Sequence, residues 1–210
     1  MSNQLSIWSD GNDKTNMQGE QLPMPDAEVM FYYNFFDNNE SNQLLVELYK
    51  TIFWQQQSTI IFGKKVNLPR LTAWYGEPDK SYSYSKITME PILWTPLLIK
   101  IKSKIESLSE IKFNSVLLNL YRDGKDSVAW HSDDEPELGK NPVIASVSFG
   151  VPRRFMFRHK TKKELKYEIK LTHGSLLMMT GTTQHFWQHQ IPKMNKLTQP
   201  RINLTFRQIT

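Results

Sequence analysis

From Asn114 to the C-terminus the chain breaks into short runs of strand length: SVLLNLYR, VIASVSFGV, RRFMFRHK, LKYEIKL, GSLLMMTG and INLTFRQI. Turn-forming or charged stretches separate them, and this pattern restricts the second half to a many-stranded sandwich or jelly roll. Upstream the period changes. Asp37 to Gln57 is predicted helical, with Asn/Asp cap candidates and Leu44, Leu45, Leu48, Ile52 and Phe53 on one face. A second helix is predicted from Thr95 to Ile111, where Leu97, Leu98, Ile101, Ile105 and Leu108 recur at helical spacing and the lysines and glutamates point outward. The expected class is α+β, mainly β: a jelly-roll core flanked by two helices.

A chain of 210 residues that is 39% hydrophobic, with six tryptophans, has enough material for one packed core. Residues 1–28 are polar and are expected to be a flexible lead-in; residues 29–210 then form a single domain, since no linker or repeat divides them. No run is long and apolar enough for a membrane span, and the N-terminus lacks the apolar core of a secretory signal. The expectation is an intracellular protein, cytoplasmic or, in a eukaryote, nuclear, with nothing that demands more than a monomer. Zero cysteines exclude disulfides, a thiol nucleophile and thiolate-bound metal. The net charge of +5 is compatible with an anionic partner but does not establish one.

Against that background His131-Ser132-Asp133 stands out. A histidine and a carboxylate two residues apart share one face of an extended segment, and a distant histidine such as His189 could complete a facial triad across the mouth of a barrel. Three protein ligands leave metal positions open, which favours iron(II) over a closed, cysteine-rich structural zinc site. H-x-D alone also occurs in solvated loops, so the surroundings matter. In RINLTFR, Arg201, Asn203, Thr205 and Arg207 share one face of a strand, while Leu204 and Phe206 take the other. Two inward guanidinium forks beside a metal suit a dicarboxylate such as 2-oxoglutarate.

Ordered blocks extend this pattern: PRLTAWYGE (69–77), SYSYSKITMEP (81–91), FNSVLLNLYRDGKDSVAWHSDDEPELG (113–139), ASVSFG (145–150), HGSLLMM (173–179) and RINLTFR (201–207). Together they resemble the AlkB-type Fe(II)- and 2-oxoglutarate-dependent dioxygenases, especially the animal AlkB homologues two and three, over roughly Phe62 to Arg207. The resemblance implies a double-stranded β-helix over about 114–208 and a nucleotide-recognition lid over about 60–90. It implies His131, Asp133 and His189 as iron ligands; His189, in WQHQIP, is preferred to His185, which is left to packing or the rim. Arg201 and Tyr121 would hold the distal carboxylate of 2-oxoglutarate, and Asn119, Asn203 and Arg207 its metal-proximal end.

The implied reaction consumes 2-oxoglutarate and O2, hydroxylates an N-methyl group on a base such as 1-methyladenine or 3-methylcytosine, and releases formaldehyde, succinate and CO2. Such a base must be single-stranded or flipped. Tyr84 matches the family's stacking aromatic, and Tyr82 with Glu135 its polar selectors. Trp130 is read as packing, and Asp134 as a solvated turn or an orienter of Arg207 or a ligand histidine.

IIFGKKVNLPR (60–70) is predicted to be a hairpin with Phe62 and Gly63 at its tip, similar to the finger that duplex-acting members push into the base stack. Other blocks look closer to the homologue that favours single strands and RNA. The expected partner is therefore nucleic acid: single-stranded DNA first, with detectable activity on duplex and RNA as the alternative. Arg153, Arg154, Arg158, His159, Lys160, Lys162, Lys163 and Lys166 form a basic stretch that could track phosphates, against the plainer reading of a solvated charged hairpin. The rival functions are a related oxygenase acting on RNA or protein, and a non-catalytic nucleic-acid-binding module.

Overall fold

The computed structural model describes residues 19–78, 82–84, 87–89, 91–108 and 111–210. In chain order the elements are β1 (Glu20–Gln21), β2 (Glu28–Tyr32), α1 (Asn38–Thr51), β3 (Ser58–Ile61), β4 (Lys64–Asn67), β5 (Leu71–Gly76), β6 (Tyr82–Tyr84), β7 (Ile87–Met89), β8 (Ile92–Leu93), α2 (Pro96–Glu106), β9 (Ser115–Tyr121), β10 (Val128–His131), β11 (Ile144–Gly150), β12 (Arg153–His159), β13 (Lys166–Leu171), β14 (Ser175–Thr180), the one-turn α3 (Thr183–Phe186), β15 (Trp187–Ile191) and β16 (Arg201–Arg207). An eight-stranded sheet runs β1-β2-β14-β11-β16-β9-β5-β8, and a four-stranded sheet runs β10-β15-β12-β13. The pairs are antiparallel except β5 with β8. β3–β4 and β6–β7 are separate hairpins.

Both faces of the large sheet are covered, which explains why its central strands read as unbroken apolar runs. Along β9, Val116, Leu118 and Leu120 join Ile202, Leu204 and Phe206 of β16 in one cluster with Leu44 and Leu48 of α1 and Leu98, Ile101 and Ile105 of α2. The alternate residues Leu117 and Tyr121 face the small sheet and pack with Phe155, Phe157, Trp187 and Ile191. The jelly roll with flanking helices is thus the observed architecture, and a cavity lies between its two sheets.

Both helices are shorter than the periodicity predicts. α1 is capped by the Asp37 carboxylate, which accepts from Glu40 N, and ends at Thr51 because Gln55 exchanges two backbone hydrogen bonds of 2.9 Å with Thr72. That sheet pairing draws the chain out of the helix, so Ile52 is buried at the C-cap while Phe53 is 63% exposed and does not join the apolar face. α2 is capped by Thr95 and ends at Glu106, whose carboxylate accepts Phe113 N at 2.8 Å while Lys102 Nζ donates to Phe113 O at 2.7 Å. These two charged side chains fasten the helix to the next segment instead of pointing into solvent.

The lead-in expected over residues 1–28 is structured where it is described. β1 pairs with β2, Leu22 and Met24 are buried, and the Trp187 indole donates to Pro25 O at 2.8 Å. Residues 1–18 lie outside the described residues. Two buried apolar side chains in a polar stretch were enough to dock it, a signal that average polarity conceals. Among the described residues no helix is long and apolar enough to cross a membrane.

Candidate metal and co-substrate centre

β10 and β15 are neighbours, and their register sets His131 directly opposite His189. The two imidazoles meet edge to face with centroids 4.3 Å apart, and Asp133 follows β10 closely enough that one ligand atom from each residue lies within 4.8 Å of the others. Sequence distance is thus cancelled by strand pairing. His185 is exposed, 3.0 Å from Asn141 Oδ1 through Nε2, and is absent from this group.

Each of the three side chains is held in a state suited to a cation. His131 Nδ1 lies 2.8 Å from Ala129 O, which makes Nδ1 the donor and puts the ring's lone pair on Nε2. Burial lowers the pKa of His131, the nearby Asp133 opposing it, and burial together with the neighbouring His131 pushes His189 down to about 3. Both rings are therefore neutral near pH 7, as metal ligation requires. Burial alone would raise the Asp133 carboxyl, but Arg207 and the two histidines outweigh it and bring the pKa down to about 2. Arg207 Nη2 donates to Asp133 Oδ1 at 2.6 Å, leaving Oδ2 3.8 Å from His189 Nε2.

Beside the triad, β16 and β9 turn Arg201, Asn203, Arg207, Asn119 and Tyr121 inward, in register Arg201 with Tyr121 and Asn203 with Asn119. Asn203 Nδ2 donates to Ser146 Oγ and to Val147 O, Thr205 Oγ1 donates to Asn203 Oδ1, and Arg70 Nε donates to Asn119 Oδ1 at 2.7 Å. Arg201 is 1% exposed. Its Nη2 donates to Ser148 Oγ at 2.9 Å and its guanidinium lies 5.1 Å from the Tyr121 ring, but Nε and Nη1 are buried and meet no acceptor among the described residues. Burial lowers its pKa to about 10 despite Tyr121, so it remains charged at neutral pH. A buried cation with two unused donors matches a carboxylate guest, and a His-Asp-His donor set with no thiolate matches a ferrous ion. The residues present fit both groups.

Leu117, Val128, Phe155, Met179 and Ile191 complete the cavity wall, and His189 stacks on Phe155 at 5.1 Å. On the other side of His131 an open groove of about 750 Å³ runs between Val128–Trp130, the end of β15 and the base of the β3–β4 hairpin, including Val66, Leu68 and Arg70. Phe62 stands at the hairpin tip with φ 48° and 100% exposure, next to Gly63 at φ 75°. Tyr82 and Tyr84 belong to β6, but their side chains lie outside the described residues. Glu135 is half-buried at the start of the helical turn Pro136–Leu138.

Of the two readings of Asp134 the solvated turn holds: it is exposed and takes Lys160 Nζ at 2.8 Å, while Asp133 itself holds Arg207. The basic stretch is largely engaged within the protein: Arg153 is fully buried and donates to Asp123, Asp126 and Pro192 carbonyls, and Arg154 pairs with Glu168. Arg158 bonds Gln188 and covers Trp130, His159 is buried, and Lys162 pairs with Asp26. Alternation explains this, because charges on a strand next to the core find partners before they find phosphate. Finally, Ser146, Ser148, Arg70 and Gln184 bond to residues of the site although the sequence reading gave them no role there. The serines of ASVSFG, alternating with apolar residues, were a readable sign of a polar inner face; Gln184 carried none.

A family model described as the 2OG-Fe(II) oxygenase superfamily matches residues 28–207. Alpha-ketoglutarate-dependent dioxygenase alkB homolog 3 of Mus musculus is 48% identical over 192 residues, covering 87% of this chain and 66% of its own length; the Homo sapiens protein is 46% identical over the same spans. The chain thus spans about two thirds, 66%, of the length of these curated relatives. DNA oxidative demethylase ALKBH2 of Homo sapiens is 38% identical over 188 residues, 85% of this chain and 72% of that protein. The solved structure of OsALKBH1 superposes with a TM-score of 0.64 at 17% identity, covering 91% of this chain and 100% of that one, which supports the fold.

Proposed function

The chain belongs to the 2OG-Fe(II) oxygenase superfamily, and from that premise we propose that it is an Fe(II)- and 2-oxoglutarate-dependent dioxygenase that removes N-alkyl groups from bases such as 1-methyladenine and 3-methylcytosine in DNA. The observation that carries this reading is the buried Arg201 guanidinium, with two donors unused, beside three convergent ligand atoms. His131, Asp133 and His189 would hold the ion and leave three of its positions open. Arg201 would receive the distal carboxylate of 2-oxoglutarate as a charge-assisted fork, flanked by Tyr121, with Asn119, Asn203 and Arg207 lining the way to the metal. When bound, the ion with 2-oxoglutarate and O2 supplies the oxidation: the keto acid leaves as succinate and CO2, and the hydroxylated N-methyl group is lost as formaldehyde, restoring the base.

The remaining work belongs to the protein. Arg207 keeps Asp133 ionised and aimed, and burial keeps both histidines unprotonated. Leu117, Val128, Met179 and Ile191 exclude water from the oxidising centre. The groove leading to His131 admits a single unstacked base, so single-stranded DNA is the preferred substrate and Phe62 serves as a wedge on duplex. Tyr82, Tyr84 and Glu135 are the base contacts in this reading. The chain from Glu20 onward acts as one catalytic domain, with residues of about 60–90 as its lid.

The test is a turnover assay on a 1-methyladenine oligonucleotide with Fe(II) and 2-oxoglutarate, reading formaldehyde and succinate together, with His131→Ala as control. Methylated RNA and protein run alongside separate the rival oxygenase. Absence of formaldehyde from every nucleic-acid substrate refutes the proposal.

A further inference from the structure

Gln184 has no place in the chemistry above, yet it is 1% exposed and sits against the ligand triad. It lies in α3, which runs directly into β15 and therefore into His189. Its Oε1 accepts the backbone N–H of Asp133 at 3.0 Å, whereas among the described residues its Nε2 finds only the Met179 sulfur at 3.5 Å, a weak acceptor. Burying an amide for so poor a return is unfavourable unless the other bond matters. The Asp133 N–H is itself buried, and losing its acceptor would leave it unsatisfied in the interior. Two further ties join the same segments: Ser132 Oγ donates to Trp187 O at 3.0 Å, and Lys160 Nζ donates to Gln184 O and Asp134 Oδ2, each at 2.8 Å.

We propose that Gln184 is a positioning residue for the metal centre: it holds the peptide plane ahead of Asp133, so that the carboxylate converges with His131 and His189 before an ion arrives. Asp133 is then held at both ends, its backbone by Gln184 and its Oδ1 by Arg207, and Oδ2 has one direction left, toward His189. The inference rests on the reading of the triad as a ferrous site. Partners behind a ligand commonly change metal affinity by about 10–100-fold, and the bridge from Gln184 to Asp133 is of that kind.

The experiment measures Mn(II) affinity of the full chain by titration, independent of turnover, for wild type, Gln184→Met, Gln184→Glu and the remote packing variant Ile105→Val. Gln184→Met keeps the length of the side chain but removes the acceptor, and Mn(II) binding is expected to weaken about 10–100-fold. Gln184→Glu keeps the acceptor and should bind at least as tightly as wild type, while Ile105→Val, mildly destabilised elsewhere, should bind like wild type. Should Gln184→Met fail to fold, amide exchange in the wild-type apo protein decides: the Asp133 N–H is expected to be as protected as the strand amides of β9. Wild-type affinity in Gln184→Met, an equal loss in Gln184→Glu, or a rapidly exchanging Asp133 amide overturns the proposal. Absence of Mn(II) binding by wild type overturns the ferrous reading first, and is distinguishable because binding by wild type and Gln184→Met alike overturns the positioning role alone.

Discussion

Arg201→Met is expected to stabilise the protein without its co-substrate and to cripple co-substrate binding, a pair of opposite effects that a purely structural arginine would not show. The magnitude comes from the folded-state pKa: burial brings it well below the ordinary arginine range, to about 10, so the charged side chain costs the native state about 3 kcal/mol. The sign follows from linkage. The charged form is disfavoured in the native state, so the penalty is fully present below pH 10 and is relieved as pH rises from about 10 toward the ordinary arginine value. Losing the Ser148 hydrogen bond and the Tyr121 contact offsets about 1–2 kcal/mol. A net gain of about 1–2 kcal/mol, or a Tm higher by roughly 2–8 °C, should remain at pH 7. Meanwhile the loss of a buried guanidinium–carboxylate fork, worth about 3 kcal/mol or more, should weaken 2-oxoglutarate binding at least about 100-fold. Urea unfolding of the apo protein and calorimetric titration of 2-oxoglutarate in the presence of Mn(II) measure the two sides. A variant that is less stable by more than 1 kcal/mol and still binds 2-oxoglutarate normally would refute the reasoning.

Phe206→Ala should cost about 3–5 kcal/mol in urea unfolding, because the ring is fully buried between Trp94 and Phe113, and a loss under 1 kcal/mol would contradict that packing. Phe62→Ala should leave stability within about 0.5 kcal/mol, given its complete exposure, but lower turnover on methylated duplex more than on single strands; equal losses on both would end the wedge role. Charge reversal of Lys64 and Lys65, exposed on the hairpin beside the groove, should flatten the dependence of log affinity on log salt by about 0.7–0.9 for each phosphate that is no longer neutralised, and an unchanged slope would place the DNA elsewhere. Arg154→Ala should change stability by less than about 1 kcal/mol, since its pairing with Glu168 is near half-exposed on both sides, and a larger loss in urea unfolding would contradict that weighting.

The chain's own order of residues pointed to the fold class, and the chemistry entered through the resemblance of its ordered blocks to the AlkB-type dioxygenases. Strand-length runs from Asn114 onward, two helical stretches and the inward face of RINLTFR are local patterns, set by side-chain period and by the absence of thiols. His131, Asp133 and Arg201 stood out as candidates because ligation and carboxylate recognition demand particular residue types, and the family resemblance gave them their roles. Helix ends were less legible, since α1 stops where Gln55 pairs with Thr72, a competition between distant segments.

What only the folded chain decided was partnership. The register of β10 on β15 sets His131 against His189, Arg207 spends a donor on Asp133, Gln184 reaches the Asp133 amide, and Arg153, Arg158 and Lys160 of the basic stretch find acceptors in the protein. The polar segment before β2 docks through Leu22 and Met24. A residue's type and spacing determine what it can bind, but whether a buried donor is satisfied or left open depends on atoms brought from far along the chain. Arg201 shows the difference: its presence was written in RINLTFR, and its two open N–H groups exist only because the sheets close around them.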